Sequence, residues 1–179
     1  MPTQRLNTLV EVVTVNGDPP VVTMTEKLWA RFEYGISIGS GPSSGLRANG
    51  HDKLYTRANP PVWPGNFIRH GDRLWVVSRV TSDRAMGHVA IAELVGEPAV
   101  YSPASGGVVN VRVALLHSPG RAGSLEVASH ERHMELARLD LNRTPARGDT
   151  ITLRGTTWTV TGLVATASDG AVITVVVRQ

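Results

Sequence analysis

Few residues of this sequence combine in patterns that could bind a metal or support catalysis. The best metal candidate is the run SHERHME, in which His130 and His133 are three positions apart, next to Glu131 and Glu135. On a helix, the two histidines would share a face and could bind zinc with a third ligand. No matching cluster occurs elsewhere, and the surrounding pattern fits a strand as well as a helix. A solvated polar stretch is the simpler interpretation, so we expect no metal and no other cofactor.

Two further motifs have simple structural explanations. Residues Arg147–Asp149 form the tripeptide Arg-Gly-Asp, which is known from cell-adhesion proteins. Because they follow Pro145 and begin an alternating segment, we interpret them as a turn before a strand. Residues 39–45, GSGPSSG, lack the lysine and the strand-to-helix setting of a phosphate-binding loop. The chain has no cysteine, which excludes disulfides and cysteine nucleophiles. Because no constellation supports catalysis, we expect the protein not to be an enzyme.

The composition favours a β-rich globular protein. Hydrophobic residues make up 41% and charged residues 18% of the 179 positions, which is enough for a packed core and too little charge for disorder. The 18 glycines and 11 prolines favour many turns between short strands. The net charge is only +3, which is not a DNA-binding footprint. All basic residues except Lys27 and Lys53 are arginines, which suit polar contacts to carboxylates and phosphates.

The sequence predicts no export signal and no membrane span. Its first residues, MPTQRLNTLVEVV, lack a basic region followed by a long apolar region, and no apolar run approaches about 18 residues. We therefore expect a soluble intracellular protein or a component of a soluble particle, without a membrane partner.

One β-hairpin pattern occurs twice in the chain. Residues 66–89 overlay residues 149–172 without a gap, and the matches fall on turn glycines and alternate apolar positions. The matched pairs are Gly65/Gly148, Asn66/Asp149, Ile68/Ile151, Trp75/Trp158, Val77/Val160, Val80/Leu163, Gly87/Gly170 and Val89/Val172. Duplication of one module explains the pattern, and two unrelated hairpins are the alternative.

Each half of the chain predicts a strand, a long connection and a meander. Residues 26–34, EKLWARFEY, alternate apolar and polar side chains, and they overlay another alternating segment at residues 111–117. Residues 171–177 are β-branched and nearly continuous, as in a strand that is covered on both faces.

These patterns predict an all-β protein of two small tandem β-barrel or sandwich modules, with room for a short helix. The first module spans residues 1–97 and the second spans residues 108–179. Residues 98–107 contain two prolines and end in a glycine pair, so we expect a linker there.

The C-terminal half resembles the head–tail joining proteins of lambda-type tailed phages. Those proteins have a proline, a Gly-Asp start of a strand, a glycine turn, an aromatic-x-Val strand, an Asp-Gly turn and a final apolar strand. The residues in these places are Pro145, Gly148, Asp149, Gly155, Trp158, Val160, Asp169 and Gly170.

The N-terminal half is similar to the head-closure proteins, the stoppers or adaptors, of siphovirus-type phages. EKLWARFEY matches their Trp-Ala strand, and residues 54–80 match their Arg-containing strand, Gly-Asp turn and closing strand. Such proteins are commonly a single module, so the duplication departs from their pattern.

The resemblance implies a β-barrel-like fold without enzymatic activity. It also implies a homo-oligomeric ring at the neck of the virion, between the portal of a DNA-filled head and the tail, assembled in the host cytoplasm. The implied partners are a portal or adaptor protein, a tail terminator or tail tube protein, and the packaged DNA.

Residues 34–53 lie where such proteins often carry a loop into the connector channel. Glycine and serine dominate this segment, and its composition predicts no buried face. It is either a loop that a partner orders or a flexible one. We expect the loop and the strand after it to contact DNA or the portal. The candidate contact residues are Arg47, His51, Lys53, Tyr55 and Arg57.

Two other functions stay open at this point. The protein could be a tail terminator or another tail component, or it could be a tandem nucleic-acid-binding β-barrel of another class. In the second case, exposed aromatic side chains would stack on bases. The candidates for stacking are Trp29, Tyr34, Tyr55 and Trp63, whereas the equivalent Trp75 and Trp158 are predicted core anchors.

Overall fold

The computed structural model describes residues 5–35, 45–48, 52–116, 131–166 and 170–179, and these residues form twelve β-strands. The strands are β1 (Thr8–Asn16), β2 (Val21–Glu33), β3 (Asp52–Arg57), β4 (Phe67–His70), β5 (Arg73–Ser82), β6 (Met86–Glu93), β7 (Glu97–Ser102), β8 (Val109–Leu116), β9 (Glu131–Ala137), β10 (Thr150–Leu153), β11 (Thr156–Thr166) and β12 (Val172–Arg178). Between β9 and β10, residues Arg138–Asp140 form a single 3-10 turn.

The twelve strands close into two six-stranded barrels. The first has the order β1-β2-β3-β6-β5-β4, and the second has the order β7-β8-β9-β12-β11-β10. All strand pairs are antiparallel, and each strand of the second barrel takes the place of the strand six earlier in the chain. The prediction of an all-β protein with two small modules is confirmed, and both modules are barrels.

The predicted linker is wrong, because the first half of residues 98–107 belongs to a strand of the second barrel. Residues 97–102 form β7, which buries Ala99 and Tyr101 in the core. Proline has no backbone N–H to donate to a neighbouring strand. Pro98 is tolerated because β7 pairs with β10 only from Val100 to Ser102, so no hydrogen bond from residue 98 is needed on that side. The chain passes from one unit to the next between Leu94 and Val95.

The repeated hairpin is confirmed in its first two strands, down to single hydrogen bonds. The Gly65 N–H donates to the Val77 carbonyl at 2.9 Å, and the Gly148 N–H donates to the Val160 carbonyl at 2.9 Å. Both glycines have positive φ angles, 89° and 90°. A β-bulge follows Val77 in the first barrel and Val160 in the second. The two modules therefore share local geometry as well as strand order.

The gapless overlay is wrong for the third strand of the repeat. Val80 pairs with Val89, whereas its equivalent, Leu163, pairs with Val175. The offset between equivalent residues of the two copies therefore grows from 83 to 86 positions. The connection between the strands is two residues longer in the second barrel, and a second β-bulge after Leu163 adds one more residue. The matches of Gly87 with Gly170 and of Val89 with Val172 do not hold. Gly87 is buried within β6, and Gly170 has a φ angle of 71° beyond the end of β11.

Each barrel has its own apolar core of inward-facing alternate residues. The first core contains Val10, Val12, Ala30, Leu54, Val62, Ile68, Trp75, Val77, Val89 and Ile91. The second contains Ala99, Tyr101, Val111, Val113, Met134, Leu136, Leu141, Ile151, Leu153, Val160, Ile173, Val175 and Val177. Trp75 is a core anchor as predicted, and Trp158 packs against the second core while staying half-buried. In the described part of the chain, no helix has the length and apolar character needed to cross a bilayer.

The connection between β2 and β3 includes the glycine- and serine-rich segment. Residues 36–44 and 49–51 of this segment lie outside the described residues. Contrary to expectation, the segment does bury a side chain, because Leu46 is 0% exposed. The Leu46 carbonyl accepts a hydrogen bond from the Val95 N–H at 2.8 Å. Residues 45–48 are therefore attached to the folded part of the chain.

Candidate interaction surface

Strand β3 presents polar side chains on the outside of the first barrel. Lys53, Tyr55 and Arg57 alternate along it with the buried Leu54 and Thr56. Period-2 alternation places the three polar side chains on one face. Three of the five predicted contact residues therefore lie together.

Of the other two predicted contact residues, only Arg47 lies within the described part of the chain. Arg47 belongs to the short segment 45–48 and forms an isolated β-bridge with Leu94. His51 lies outside the described residues.

The polar face continues across the neighbouring strands β2, β6 and β5. One row runs Arg31, Tyr55, His88 and Thr81, and the next runs Glu33, Lys53, Ala90 and Arg79. We call this surface the basic face. Its principal residues are Arg31, Lys53, Tyr55, Arg57, Arg79 and His88.

Tyr55 lies at the centre of the basic face. The Arg31 guanidinium lies 4.8 Å from the centre of its ring, and the His88 ring meets it edge-on at 5.2 Å between centroids. A hydrogen bond with Glu33, together with partial burial, raises the pKa of Tyr55. The phenol therefore stays neutral at ordinary pH and presents a half-buried aromatic surface between cations.

A shallow notch lies beside Tyr55. Its volume is about 320 Å³, and its floor includes Ala90. Because alanine has only a methyl side chain, it leaves a gap between its cross-strand neighbours Lys53 and Arg79. Thr81 and His88 line the same notch and supply polar groups. The notch can accept a small anionic group.

Most cations of the basic face are not neutralised. Among the described residues, Lys53, Arg57 and Arg79 form no ion pair. Arg31 reaches Glu33 only at 4.0 Å. The face therefore has excess positive charge, although the chain as a whole is nearly neutral.

One acidic residue at the margin of the face is fixed in the β5–β6 turn. Asp83 accepts hydrogen bonds from the Ala85 and Met86 N–H groups, each at 2.8 Å, and lies 3.1 Å from His88 Nε2. These contacts lower the pKa of Asp83 to about 2. This carboxylate therefore serves the turn and orients His88.

Asp52 fixes the base of the glycine- and serine-rich connection. Its Oδ1 accepts the Gly35 N–H at 3.0 Å, and its Oδ2 accepts the indole N–H of Trp75 at 3.1 Å. The residues where the connection leaves β2 and enters β3 are thus held together and attached to the core tryptophan. This contact places Lys53 and Tyr55 on a rigid strand.

The second barrel contains a buried polar cluster around Asp149. This carboxylate is fully buried and accepts hydrogen bonds from the Tyr101 hydroxyl at 2.5 Å, the Ala104 N–H at 2.9 Å and Arg143 at 2.8 and 2.9 Å. Arg143 also donates to the Ser105 hydroxyl at 2.8 Å. Burial and the hydrogen bond to Asp149 raise the pKa of Tyr101 to about 12. The cluster ties the turn after β7 to the loop before β10.

The histidine-rich run does not build a metal site in the described part of the chain. Glu131, His133 and Glu135 lie on β9, which is a strand, and His130 lies outside the described residues. Glu135 instead accepts the Leu46 N–H at 2.7 Å. No group of three or more possible metal ligands occurs among the residues that the structure describes.

Two strand segments expose apolar side chains. Among the described residues, β2 pairs with β3 only from Arg31 to Glu33, so its earlier part has β1 as its sole partner. Val21 is 59% exposed and Met24 is 57% exposed on this β1–β2 ribbon. On β11, Leu163 and Val164 are about half exposed. Clusters of this kind mark surfaces that pack against other molecules.

Sequence reasoning missed Arg79, His88 and Ala90 of the basic face. They lie on β5 and β6, remote in sequence from β3. The alternation along the repeated hairpin predicts that these side chains point out of the barrel. Which of them faces Lys53 depends on the β3–β6 register, and no local pattern encodes it.

The comparisons with known proteins assign the chain to a family. No curated protein and no solved structure matches it. A family model described as phage head-tail attachment protein matches residues 78–177, which is more than half of the chain and includes all six strands of the second barrel. The protein thus belongs to the phage head-tail attachment protein family.

Proposed function

We propose that the protein closes the head and joins it to the tail at the neck of a tailed phage. It forms a homo-oligomeric ring between the portal or adaptor and the tail terminator or tail tube, after assembly in the host cytoplasm. It works through binding surfaces and not through catalysis. The observation that carries this proposal is the family match over residues 78–177.

The exposed strand segments support a ring of identical subunits. A ribbon with an unpaired edge and apolar side chains can pair with or pack against a neighbouring subunit. The β1–β2 ribbon and the exposed part of β11 are different surfaces, so a contact between them is head-to-tail. Head-to-tail contacts close into a ring when the rotation per subunit permits.

Electron microscopy of labelled virions tests the location. We expect an epitope tag on this chain, detected with a gold-conjugated antibody, to appear in a ring between head and tail. An untagged virion is the control. Label along the tail would support a tail terminator or other tail component instead.

A second candidate function is a tandem nucleic-acid-binding barrel, and the basic face favours it. Trp29 is 55% exposed and lines a shallow pocket together with Arg57, so aromatic and cationic groups alternate there. Absence of label from the virion, together with tight and salt-dependent binding of oligonucleotides by the monomer, would support this candidate.

A further inference from the structure

We propose that the basic face binds the phosphate backbone of double-stranded DNA, with one phosphate group in the notch between Lys53 and Arg79. The biological setting rests on the proposed neck function, since packaged DNA passes that position. The binding chemistry does not rest on it and can be measured on the isolated protein.

The strand register gives the notch its geometry. Lys53, Ala90 and Arg79 are direct cross-strand neighbours on β3, β6 and β5. Neighbouring strands are about 4.8 Å apart, so the two cationic residues start about 10 Å apart and their long side chains can converge above the methyl group. A phosphate needs such a pair of converging cationic donors.

The second row completes the site with polar groups. Thr81 lines the same notch and can donate a hydrogen bond to a phosphate oxygen, whereas the Nε2 of His88 is already paired with Asp83. Tyr55 adds an aromatic ring beside the notch and no negative charge, because its hydroxyl is hydrogen-bonded to Glu33 and its pKa is raised.

The charge of the face complements a phosphate chain. Lys53 and Arg57 lie four residues apart on one strand, so they are separated by about 13 Å. One DNA strand carries a negative charge about every 3.4 Å along the helix axis, so the two cations span several phosphates. The two cationic side chains of β3 can therefore contact two phosphates of the same DNA strand.

The same face suits DNA better than an acidic protein. Protein interfaces are usually anchored by aromatic or aliphatic groups that enter a desolvated pocket. Here the notch is shallow, and Lys53 and Arg79 are among the residues that line it. Contacts to a phosphate backbone need no such pocket, because they are largely electrostatic.

Binding of a short fluorescent DNA duplex, followed by anisotropy at several salt concentrations, tests the proposal. The double variant Lys53→Ala/Arg79→Ala should bind at least about tenfold more weakly at low salt, and its salt slope should fall by about two. The matched control is Arg132→Ala/Arg147→Ala, which removes two exposed arginines from the second barrel. The control should bind like the wild type.

A third variant tests the notch without changing charge. Ala90→Leu fills the floor and should weaken binding several-fold, with a smaller salt slope. Circular dichroism and thermal melting establish that each variant folds.

Three results would overturn the proposal. The first is that the wild-type protein does not bind the duplex, and the second is that both double variants lose DNA affinity equally. The third is that polyglutamate displaces the duplex at equal charge concentration. Neck labelling is measured separately, so a failed DNA site leaves the neck function standing.

Discussion

Asn66 and Asp149 hold the same turn position in the two barrels but face different surroundings. Asn66 Oδ1 accepts the Trp63 N–H at 2.9 Å, and Asp149 Oδ2 accepts the Ala146 N–H at 2.7 Å. Only Asp149 is fully buried, and its charge is matched by Arg143. A buried carboxylate needs these donors, because an unpaired buried charge is costly.

The first prediction concerns the stability of the second barrel. Asp149→Ala should lower the free energy of unfolding by about 3 kcal/mol, because it leaves buried donors without a partner. The equivalent change Asn66→Ala should cost only about 1 kcal/mol, since Asn66 makes fewer contacts and is only half-buried. Urea denaturation measures both values. Equal losses would contradict the structural role given to Asp149.

The second prediction concerns the loss of folding stability at low pH. Burial alone would raise the pKa of Asp149, but the hydrogen bonds from Tyr101, Ala104, Ala146 and Arg143 outweigh it and lower the pKa. The unfolded value is about 3.9, so the stabilisation is complete above about pH 4 and is lost as pH falls through the lower folded-state pKa.

Asp149→Asn should therefore flatten the loss of stability below about pH 4, because the variant has no carboxyl group to titrate there. Thermal melting between about pH 2 and pH 7 measures this difference. If wild type and variant lost stability in parallel, Asp149 would not be the group responsible.

At the scale of elements, strand β6 approaches its neighbour β3 closely at Gly87. A methyl group there would lie 2.4 Å from Thr56 Oγ1, 2.6 Å from Pro60 Cδ and 2.9 Å from the Arg57 carbonyl oxygen. Gly162 on β11 has open space, with nothing within 4 Å of an added methyl group. Gly87 thus allows close packing of two strands, whereas Gly162 does not pack closely against any described residue.

The third prediction compares these glycines. Gly87→Ala should destabilise the protein by about 1–3 kcal/mol, because β6 must move away from β3. Gly162→Ala should be nearly neutral, since neither space nor backbone angle opposes it. Thermal or urea unfolding checks both variants. A neutral Gly87→Ala would show that β3 and β6 can separate without cost.

The elements also reveal which structure could be predicted from sequence. Strands β4 and β5 were predictable because alternating apolar residues follow turn glycines in both copies. Strand β7 was not, because Pro98 and Pro103 outweighed the alternation of Ala99 and Tyr101. Lys53, Tyr55 and Arg57 were candidates because of the family resemblance, and alternation along β3 explains why they share a face. Their partners across the sheet depend on long-range register.

At the scale of the whole molecule, the proposed ring depends on the exposed apolar side chains of the β1–β2 ribbon. The fourth prediction is that Met24→Asp, on the β1–β2 ribbon, reduces ring formation at least about tenfold, because a charge would have to be buried in the subunit contact. Val108→Asp is the matched control, since Val108 is also exposed but lies outside the strands. Mass photometry of the purified proteins measures the assembled fraction. Rings formed equally by both variants would place the contact elsewhere.

Closing each sheet into a barrel also limits how this protein can polymerise. An open sheet offers a continuous backbone edge on which copies add without a built-in end. The closed barrels leave only short unpaired segments among the described residues, such as the first part of β2, so in the proposed ring copies join through a short ribbon with a defined direction. In the proposed ring, the angle between successive copies would determine how many copies assemble and where growth stops.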